Sequence, residues 1–214
     1  MSLKTKRISV AIGVPLLILI IDQLVKIWVK THMMMNDSFH VTDWFYIYFT
    51  ENPGMAFGME LFDKLFLTSF RLIAMGVLIW YLYVCIKKEY KIGYIISIAA
   101  IFAGATGNII DCVFYGQLFT HSYGQVATFL PEMGGYAPWL HGKVVDMLYF
   151  PLIDTTFPDW VPFWGGDSFV FFRPIFNIAD SSITCGIASI VIFYREYLAD
   201  DHSKKEKEST TVSD

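Results

Sequence analysis

Charged side chains are scarce in this chain of 214 residues. Only 17% of the residues are Asp, Glu, Lys or Arg, whereas 55% are hydrophobic. A soluble domain of this length needs more charge on its surface. The composition therefore argues against a water-soluble protein and indicates a membrane protein. The net charge of −4, with no basic face, also argues against nucleic acid as a partner.

Cysteine and the common catalytic motifs are equally sparse. The cysteines, Cys85, Cys112 and Cys185, are odd in number and lack C-x-x-C spacing, so neither a disulfide framework nor a zinc site is expected. The sequence contains no H-E-x-x-H motif and no glycine-rich phosphate loop with lysine. Its histidines lie outside the apolar stretches and in no recognisable nucleophile motif. We therefore expect neither a metal ion nor a cofactor.

Long apolar stretches are what the chain has instead. Four of them reach the length of about 20 residues that a bilayer requires. They comprise residues 8–29, 66–86, 92–110 and 176–194. The first is predicted to be a retained helix, because Asp22 and Lys26 follow its core instead of a small-residue cleavage site. Lysine and arginine cluster before the first stretch, between the second and third, and after the fourth, which predicts four spans with both termini cytoplasmic.

The two long loops, about 30–65 and 111–175, then face outward. Residues 39–50, FHVTDWFYIYFT, combine aromatic and β-branched side chains and predict a small extracytoplasmic β segment. Aromatic residues of the second loop, including three tryptophans, are predicted to anchor at the lipid headgroups. Residues 1–197 are predicted to form one four-helix, all-α membrane domain, and 198–214 a disordered cytoplasmic tail.

Carboxylates within or beside the apolar stretches are candidate functional groups, because an isolated charge in a membrane is costly. Asp22 lies one helical turn before Lys26, and a pair that neutralises itself favours a structural role. Asn108 and Asp111 share a face at the outer end of the third stretch. Helix capping or interhelical hydrogen bonding and substrate positioning are both open for them.

Two further carboxylates lie near the outer surface. Asp146 follows the second loop in a short apolar run, and taken alone it is also compatible with a solvated loop carboxylate. Asn177, Asp180, Ser181 and Thr184 form one polar stripe on an apolar helix, facing the bundle interior or a wet cleft. Two carboxylates that converge share a proton, so that one activates water while the other polarises a carbonyl. The sequence permits that chemistry without bringing the two groups together.

Five motifs in order resemble those of the lipoprotein signal peptidases (signal peptidase II), which are integral-membrane aspartic endopeptidases. They are DQLVK at 22–26, ENPGMAFG at 51–58, GNIID at 107–111, GKVVD at 142–146 and FNIADSSI at 176–183. The resemblance implies removal of signal peptides from diacylglyceryl-modified prolipoproteins, on the N-terminal side of the lipidated cysteine. It also implies a bacterial cytoplasmic (inner) membrane location, with the active site near the outer leaflet.

The resemblance further implies roles for individual residues. Asp146 and Asp180 would be the catalytic pair, and Asp22 with Lys26 a structural pair. Substrate binding or site support would fall to Asn52, Gly54, Asn108, Asp111 and Asn177. Segment 39–58 would form the sheet that cradles the substrate. The implied partners are prolipoprotein substrates and membrane lipids, with no metal or cofactor, and the chain is expected to be a monomer.

Two departures from the family pattern stand out. The family usually has arginine after the aspartate of its GNxxD motif, whereas Cys112 follows Asp111 here. The charge partner of Asp111 is therefore left open between Arg173 and Lys143. The stretch 117–141 is also longer than in many members, and an extended lid and a membrane-resting loop are both open.

The alternative from another class is a small transporter component that uses Asp22, Asp111 and Asp180 as a proton or cation path. Such a path predicts acidic groups staggered through the bilayer, whereas three of the four carboxylates cluster at the outer end. That clustering favours the enzyme. A non-catalytic assembly factor would leave the VVD and NIAD motifs unexplained.

Overall fold

A computed structural model describes residues 2–53 and 64–197. The helices are α1 (Leu3–His32), α2 (Lys64–Lys87), α3 (Ile92–Ile110), α4 (Gly116–Leu118) and α5 (Ile178–Phe193), with a π-helical turn at Asp111–Tyr115 joining α3 to α4. The strands are β1 (Ser38–Thr42), β2 (Phe45–Asn52), β3 (Val144–Tyr149), β4 (Ile153–Thr156), β5 (Ser168–Phe171) and β6 (Ile175–Phe176). The predicted tail, 198–214, and Gly54 lie outside the described residues.

Three helices of the described chain are long and apolar enough to cross a membrane. They run over Leu3–His32, Leu65–Lys87 and Ile92–Leu118. α5 is also apolar but has only 16 residues. At 1.5 Å per residue it measures about 24 Å, less than the hydrocarbon thickness of about 30 Å. The membrane class is thus confirmed, whereas the fourth predicted span does not reach spanning length by its helix alone.

α1 shows how this fold inverts the pattern of a soluble helix. Its buried face carries Asp22, Lys26, Val29 and Lys30, at the spacing of a single helical stripe. Leucines on other faces are exposed, Leu24 by 63%. A helix that buries charge and exposes leucine fits an apolar solvent around the bundle and a polar centre within it.

The sheet lies at one end of the bundle and has the order β1-β2-β3-β6, with antiparallel pairing throughout. The strands predicted within 39–50 are confirmed as β1 and β2. The second loop adds β3 and β6 to this sheet, and Thr50 of β2 pairs with Asp146 of β3. β4 and β5 form a separate two-stranded hairpin.

The long stretch 117–141 packs into the structure. Phe119 and Ala127 are buried in the core cluster formed with Val29, Phe49 and Met147. A backbone hydrogen bond of 2.9 Å from Met35 N to the oxygen of residue 122 ties the stretch to the end of α1. This part of the second loop therefore forms a wall of the region where the sheet meets the helices.

Candidate active site

α5 begins with a capping box that orients one of the predicted catalytic carboxylates. Asn177 is the N-cap, and its Oδ1 accepts a hydrogen bond from the backbone N–H of Asp180 at 2.8 Å. In return, Asp180 Oδ2 accepts from the backbone N–H of Asn177 at 3.3 Å. The carboxylate of Asp180 is thereby held at a helix N-terminus, where the helix dipole favours negative charge.

Asn177 also reaches the second carboxylate. Its Nδ2 donates a 2.7 Å hydrogen bond to Asp146 Oδ1, and Asn177 is fully buried. Asp146 is 4% exposed on β3, so it is not the solvated loop carboxylate that its sequence context also allowed. Asp180 is half-buried. One buried residue thus contacts both carboxylates, Asp146 through its side-chain amide and Asp180 through its backbone N–H. The two carboxylates are 34 positions apart in the chain.

The environment of Asp146 favours its protonated form. Burial, together with the negative charge of Asp180, raises the pKa of the Asp146 carboxyl to about 7, against the opposing effect of the Asn177 hydrogen bond. A carboxyl with this pKa is about half protonated at neutral pH and can donate a hydrogen bond.

Asn108 connects Asp180 to the buried lysine of α1. Lys26 Nζ donates to Asn108 Oδ1 at 2.9 Å, and Asn108 Nδ2 donates to Asp180 Oδ1 at 2.7 Å. Asn177 Nδ2 also donates to Asn108 Oδ1, at 3.1 Å. Because a lysine ammonium has no acceptor, it fixes which end of the Asn108 amide faces Asp180. Asn108 is therefore placed beside the carboxylate pair, in contact with Asp180.

Lys26 lies between two buried carboxylates. Its Nζ is 3.0 Å from Asp22 Oδ2 and 2.8 Å from Asp111 Oδ2, and all three side chains are buried. Asp22 Oδ1 accepts from the backbone N–H of Ala179 at 2.9 Å, and Asp111 Oδ2 accepts from that of Val145 at 3.2 Å. Asp22 thus holds the backbone of Ala179, directly before Asp180, and Asp111 holds that of Val145, directly before Asp146.

Glycines of α3 allow this close packing. A Cβ on Gly107 would lie 2.6 Å from Asp22 Oδ2, and one on Gly104 would clash with the backbone oxygen of Ala179. Gln23, inside the DQLVK motif, donates to Asp111 Oδ1 at 3.0 Å and to Asp22 Oδ2 at 3.1 Å. α1, α3 and the start of α5 are therefore joined by one buried polar network.

The partner of Asp111 differs from both candidates that the sequence left open. Lys26 of α1 occupies that role. Arg173 Nη2 donates to the backbone oxygen of Ser168 in β5 at 3.5 Å. Lys143 Nζ lies 3.6 Å from Glu51 Oε2. Both candidates are wrong because β2 and the hairpin hold these cations away from the end of α3.

An arginine does stand beside the cysteine that replaces the family's arginine. Arg71 of α2 donates from Nη1 to Cys112 Sγ at 3.1 Å, and Cys112 is 1% exposed. Arg71 lies within a candidate membrane span, and nothing in the sequence indicates that it contacts Cys112. The fold supplies a cation to this position from a different helix.

A second buried ion pair was missed in the sequence. Lys30 and Glu51 form a salt bridge, and Ser122 Oγ is 3.0 Å from Lys30 Nζ and 2.8 Å from Glu51 Oε1. The ring of Tyr136 lies 5.0 Å from the same Nζ. Burial, the largest single effect, raises the pKa of Glu51, but the Lys30 charge and the hydrogen bonds from Lys30 and Ser122 together hold that pKa below its usual value. The available signal was the spacing of Lys30, four residues after Lys26 on the same helix face.

This ion pair fixes the end of β2. Glu51 pairs with Val145 and Asn52 with Val144, so both lie opposite the segment that leads to Asp146. Asn52 is half-buried. Gly54, predicted to support the substrate site, lies outside the described residues.

Comparisons with known proteins agree with this architecture. A family model described as signal peptidase (SPase) II matches residues 14–195. The lipoprotein signal peptidase of Porphyromonas gingivalis is 52% identical over 179 residues, covering 83% of this chain and 79% of the relative. The lipoprotein signal peptidase of Amoebophilus asiaticus is 34% identical, covering 98% of this chain and 88% of the relative. That of a Staphylococcus aureus strain is also 34% identical, covering 94% of this chain and 95% of the relative.

A solved structure described as a bacterial membrane enzyme superimposes with a TM-score of 0.56 at 29% identity, covering 85% of this chain and 90% of the other. Together with the apolar helices, this likeness indicates a multi-pass bacterial membrane protein, and the signal peptidase family model adds the hydrolase class. The chain belongs to the signal peptidase II family. Neither the family nor these relatives support the transporter alternative.

Proposed function

We propose that this member of the family is an aspartic endopeptidase that removes the signal peptide from diacylglyceryl-modified prolipoproteins. The observation that carries the aspartic mechanism is the Asn177 bridge, which links Asp180 at the start of α5 to Asp146 on β3. The substrate class follows from the names of the relatives, which are lipoprotein signal peptidases.

The environments of the two carboxyl groups divide their roles. Asp146, with its raised pKa, donates a hydrogen bond to the carbonyl oxygen of the scissile peptide. Asp180, as the carboxylate, takes a proton from water, and the water oxygen then attacks the carbonyl carbon. In the next step the C–N bond breaks and the proton held by Asp180 passes to the leaving amine of the lipidated cysteine. One water is consumed and both carboxyl groups return to their starting states.

The remaining predicted residues support this pair. Asn108 presents an N–H to Asp180, and Asn177 holds both carboxyl groups. Asp111 and Asp22 act on the backbone beside the pair, so we assign them positioning roles. Asn52 at the end of β2, together with Gly54, is proposed to contact the substrate backbone.

Four membrane spans with both termini in the cytoplasm remain part of the proposal. α5 packs along α3 at close range, since a Cβ on Gly186 would lie 2.7 Å from the Ser97 oxygen. A helix this closely paired with a spanning helix crosses most of the same bilayer, and the membrane can thin locally around a short helix. Asp146 and Asp180 would then lie near the outer leaflet of the inner membrane, where a monomer meets lipid-anchored substrates.

The test of the carboxylate pair is a cleavage assay with a diacylglyceryl-modified precursor peptide. Asp146→Asn and Asp180→Asn keep the shape of each side chain but cannot exchange the proton, so each should lose at least about a thousandfold in turnover. The double variant should be hardly slower than either single variant, because the two groups act as a unit. The matched control is Asp154→Asn, an exposed carboxylate of the hairpin.

Binding of the precursor is measured separately, and it should survive in the single variants. Near-normal turnover by Asp146→Asn would overturn the assignment of the pair. Loss of turnover in the Asp154→Asn control would show that the assay reports damage to the protein and not the chemistry.

A further inference from the structure

The hairpin formed by β4 and β5 stands apart from the main sheet and carries an ordered tip. Its strands pair from Ile153 with Phe171 to Thr156 with Ser168. The tip, residues 157–167, is closed by backbone hydrogen bonds of 2.9 Å, from Phe157 N to the oxygen of residue 167 and from Gly166 N to that of Phe157. The Phe157 ring also packs against Phe169, at 5.1 Å between centroids. The tip therefore has a defined shape of its own.

Large aromatic side chains project from this tip. Trp160 is 81% exposed, Phe163 97% and Trp164 59%. We call these three residues the aromatic tip. Phe163 has a backbone φ of 69°, in the left-handed region that residues other than glycine rarely occupy. The chain thus presents an almost fully exposed phenyl ring from an uncommon backbone conformation, a combination that motivates the search for a function of this ring.

The charge around the aromatic tip excludes attraction to anionic headgroups. Residues 152–172 contain no lysine or arginine, and their charged side chains are Asp154, Asp159 and Asp167. The nearest basic residue, Arg173, lies at the root of the hairpin, where it donates to the Ser168 oxygen, and not at the tip. A basic segment would bind an anionic lipid surface by charge. Tryptophan and phenylalanine without basic residues instead match the boundary between headgroups and acyl chains, where amphipathic rings are enriched.

The hairpin is joined to the membrane-embedded part of the protein by ring contacts. Phe172, directly after β5, meets Phe176 edge-on with 6.0 Å between centroids. Phe176 also stacks on Phe150 at 5.6 Å, and it immediately precedes the Asn177 cap of α5. The root of the hairpin therefore lies at the end of α5 that carries Asp180, adjacent to the apolar helices and the lipid around them.

We infer that the aromatic tip inserts into the headgroup–acyl boundary of the bilayer that holds the helices, and that it binds lipid by apolar burial independent of lipid charge. The partner of the aromatic tip is the surrounding membrane, because the apolar helices place a bilayer beside the root of the hairpin. The inserted tip anchors the loop that leads into α5. This inference does not depend on the proposed chemistry of the carboxylate pair.

The experiment measures how close Phe163 lies to lipid. Cys185 is exposed, whereas Cys85 and Cys112 are buried, so a Cys185→Ala background allows an environment-sensitive dye to be attached at Phe163→Cys. The protein is placed one copy per nanodisc in phosphatidylcholine, with or without nitroxide lipids labelled near the headgroup. The matched control is the same dye at Gln125→Cys, an exposed position in an earlier part of the same loop.

The dye at position 163 should emit at shorter wavelength and be quenched severalfold more than the dye at position 125. Added anionic lipid or high salt should leave this difference in place. Equal quenching at the two positions overturns the inference. A blue shift without quenching also overturns it, because position 163 would then be covered by protein and not by lipid. Each disc holds one copy and no substrate, so neither a second copy nor a lipidated precursor can cause the quenching.

A second measurement needs no label and guards against a disturbed tip. Brominated phosphatidylcholine quenches tryptophan near the boundary, so the unlabelled protein should lose more fluorescence to quenching than Trp160→Phe/Trp164→Phe does. A comparison variant, Trp139→Phe, removes an exposed tryptophan outside the hairpin, which packs edge-on against Phe114 at 5.7 Å between centroids, and shows how much of the quenching comes from outside the tip. If quenching removes as large a fraction of the tryptophan fluorescence in the double variant as in the unlabelled protein, the tip lies outside the boundary and the inference fails.

Discussion

Replacing Asp146 by asparagine should stabilise the protein at alkaline pH, although it should abolish turnover. The carboxyl is buried beside Asp180, and these two features raise its pKa from 3.8 to about 7. In the unfolded chain the same group ionises at its ordinary pKa. Asparagine retains an oxygen that can accept the Asn177 hydrogen bond, so the change removes the ionisation and little else.

The sign follows from the order in which the two states lose their protons. Below about pH 4 the carboxyl is protonated in both states and its ionisation costs nothing. Between about pH 4 and 7 the unfolded chain ionises first and is stabilised relative to the folded protein. Above about pH 7 both states are ionised, and the folded protein bears the full cost. At about 1.4 kcal/mol per pH unit, the interval from 3.8 to about 7 gives up to about 4 kcal/mol.

Thermal unfolding in detergent provides the measurement. For a chain of this length, about 4 kcal/mol corresponds to a rise in Tm of about 10 °C for Asp146→Asn at about pH 8, with almost none at about pH 4. Asp154→Asn, which alters an exposed carboxylate, should show no such pH-dependent gain. An Asn variant that melts no higher than the unmodified protein at about pH 8, or that gains equally at both pH values, would refute the reasoning.

The other buried charges give two further predictions, and the topology gives a third. Lys30→Met should destabilise the protein by about 3 kcal/mol, because the buried Glu51 would lose its main partner and keep only the longer contact with Lys143. Lys30→Met/Glu51→Gln should recover part of the loss, and an equal loss in both would contradict the pairing. Asp22→Asn should lower the thermal stability, since Lys26 loses one of its two carboxylates, and the folded fraction should still cleave precursor. A fully folded but inactive variant would place Asp22 in the chemistry. For topology, an engineered cysteine at Lys88 should resist a membrane-impermeant thiol reagent applied from outside, whereas cysteines in the loops after α1 and α3 should react; labelling at Lys88 from outside would contradict the proposed orientation.

Much of the fold followed from local sequence pattern. The composition and the long apolar runs indicated a membrane protein, because lipid as a solvent demands about 20 consecutive apolar residues wherever a helix crosses it. The alternating aromatic and β-branched residues of 39–50 predicted β1 and β2, since strand formation is also encoded over a few neighbouring residues. The five motifs were sufficient to indicate the family that the comparisons then showed.

The ends of elements were less predictable than their existence. The apolar run at 176–194 suggested a helix long enough to span, but Asn177 caps the helix and it ends at Phe193. Side-chain capping competes with hydropathy at such ends, and a window of apolar residues does not register it. The same cap gives Asp180 its orientation.

Which side chains meet was decided only by the tertiary structure. Asp146 and Asp180 lie on a strand and a helix whose approach depends on sheet register and on the close packing of α5 against α3. Lys26, and neither Arg173 nor Lys143, became the partner of Asp111 for the same reason. Hydropathy and propensity act between neighbours along the chain, whereas a buried ion pair is set by the three-dimensional packing that must leave no charge unpaired. The sequence therefore determined which groups the protein contains, and the packing determined which of them lie within hydrogen-bond or ion-pair distance of one another.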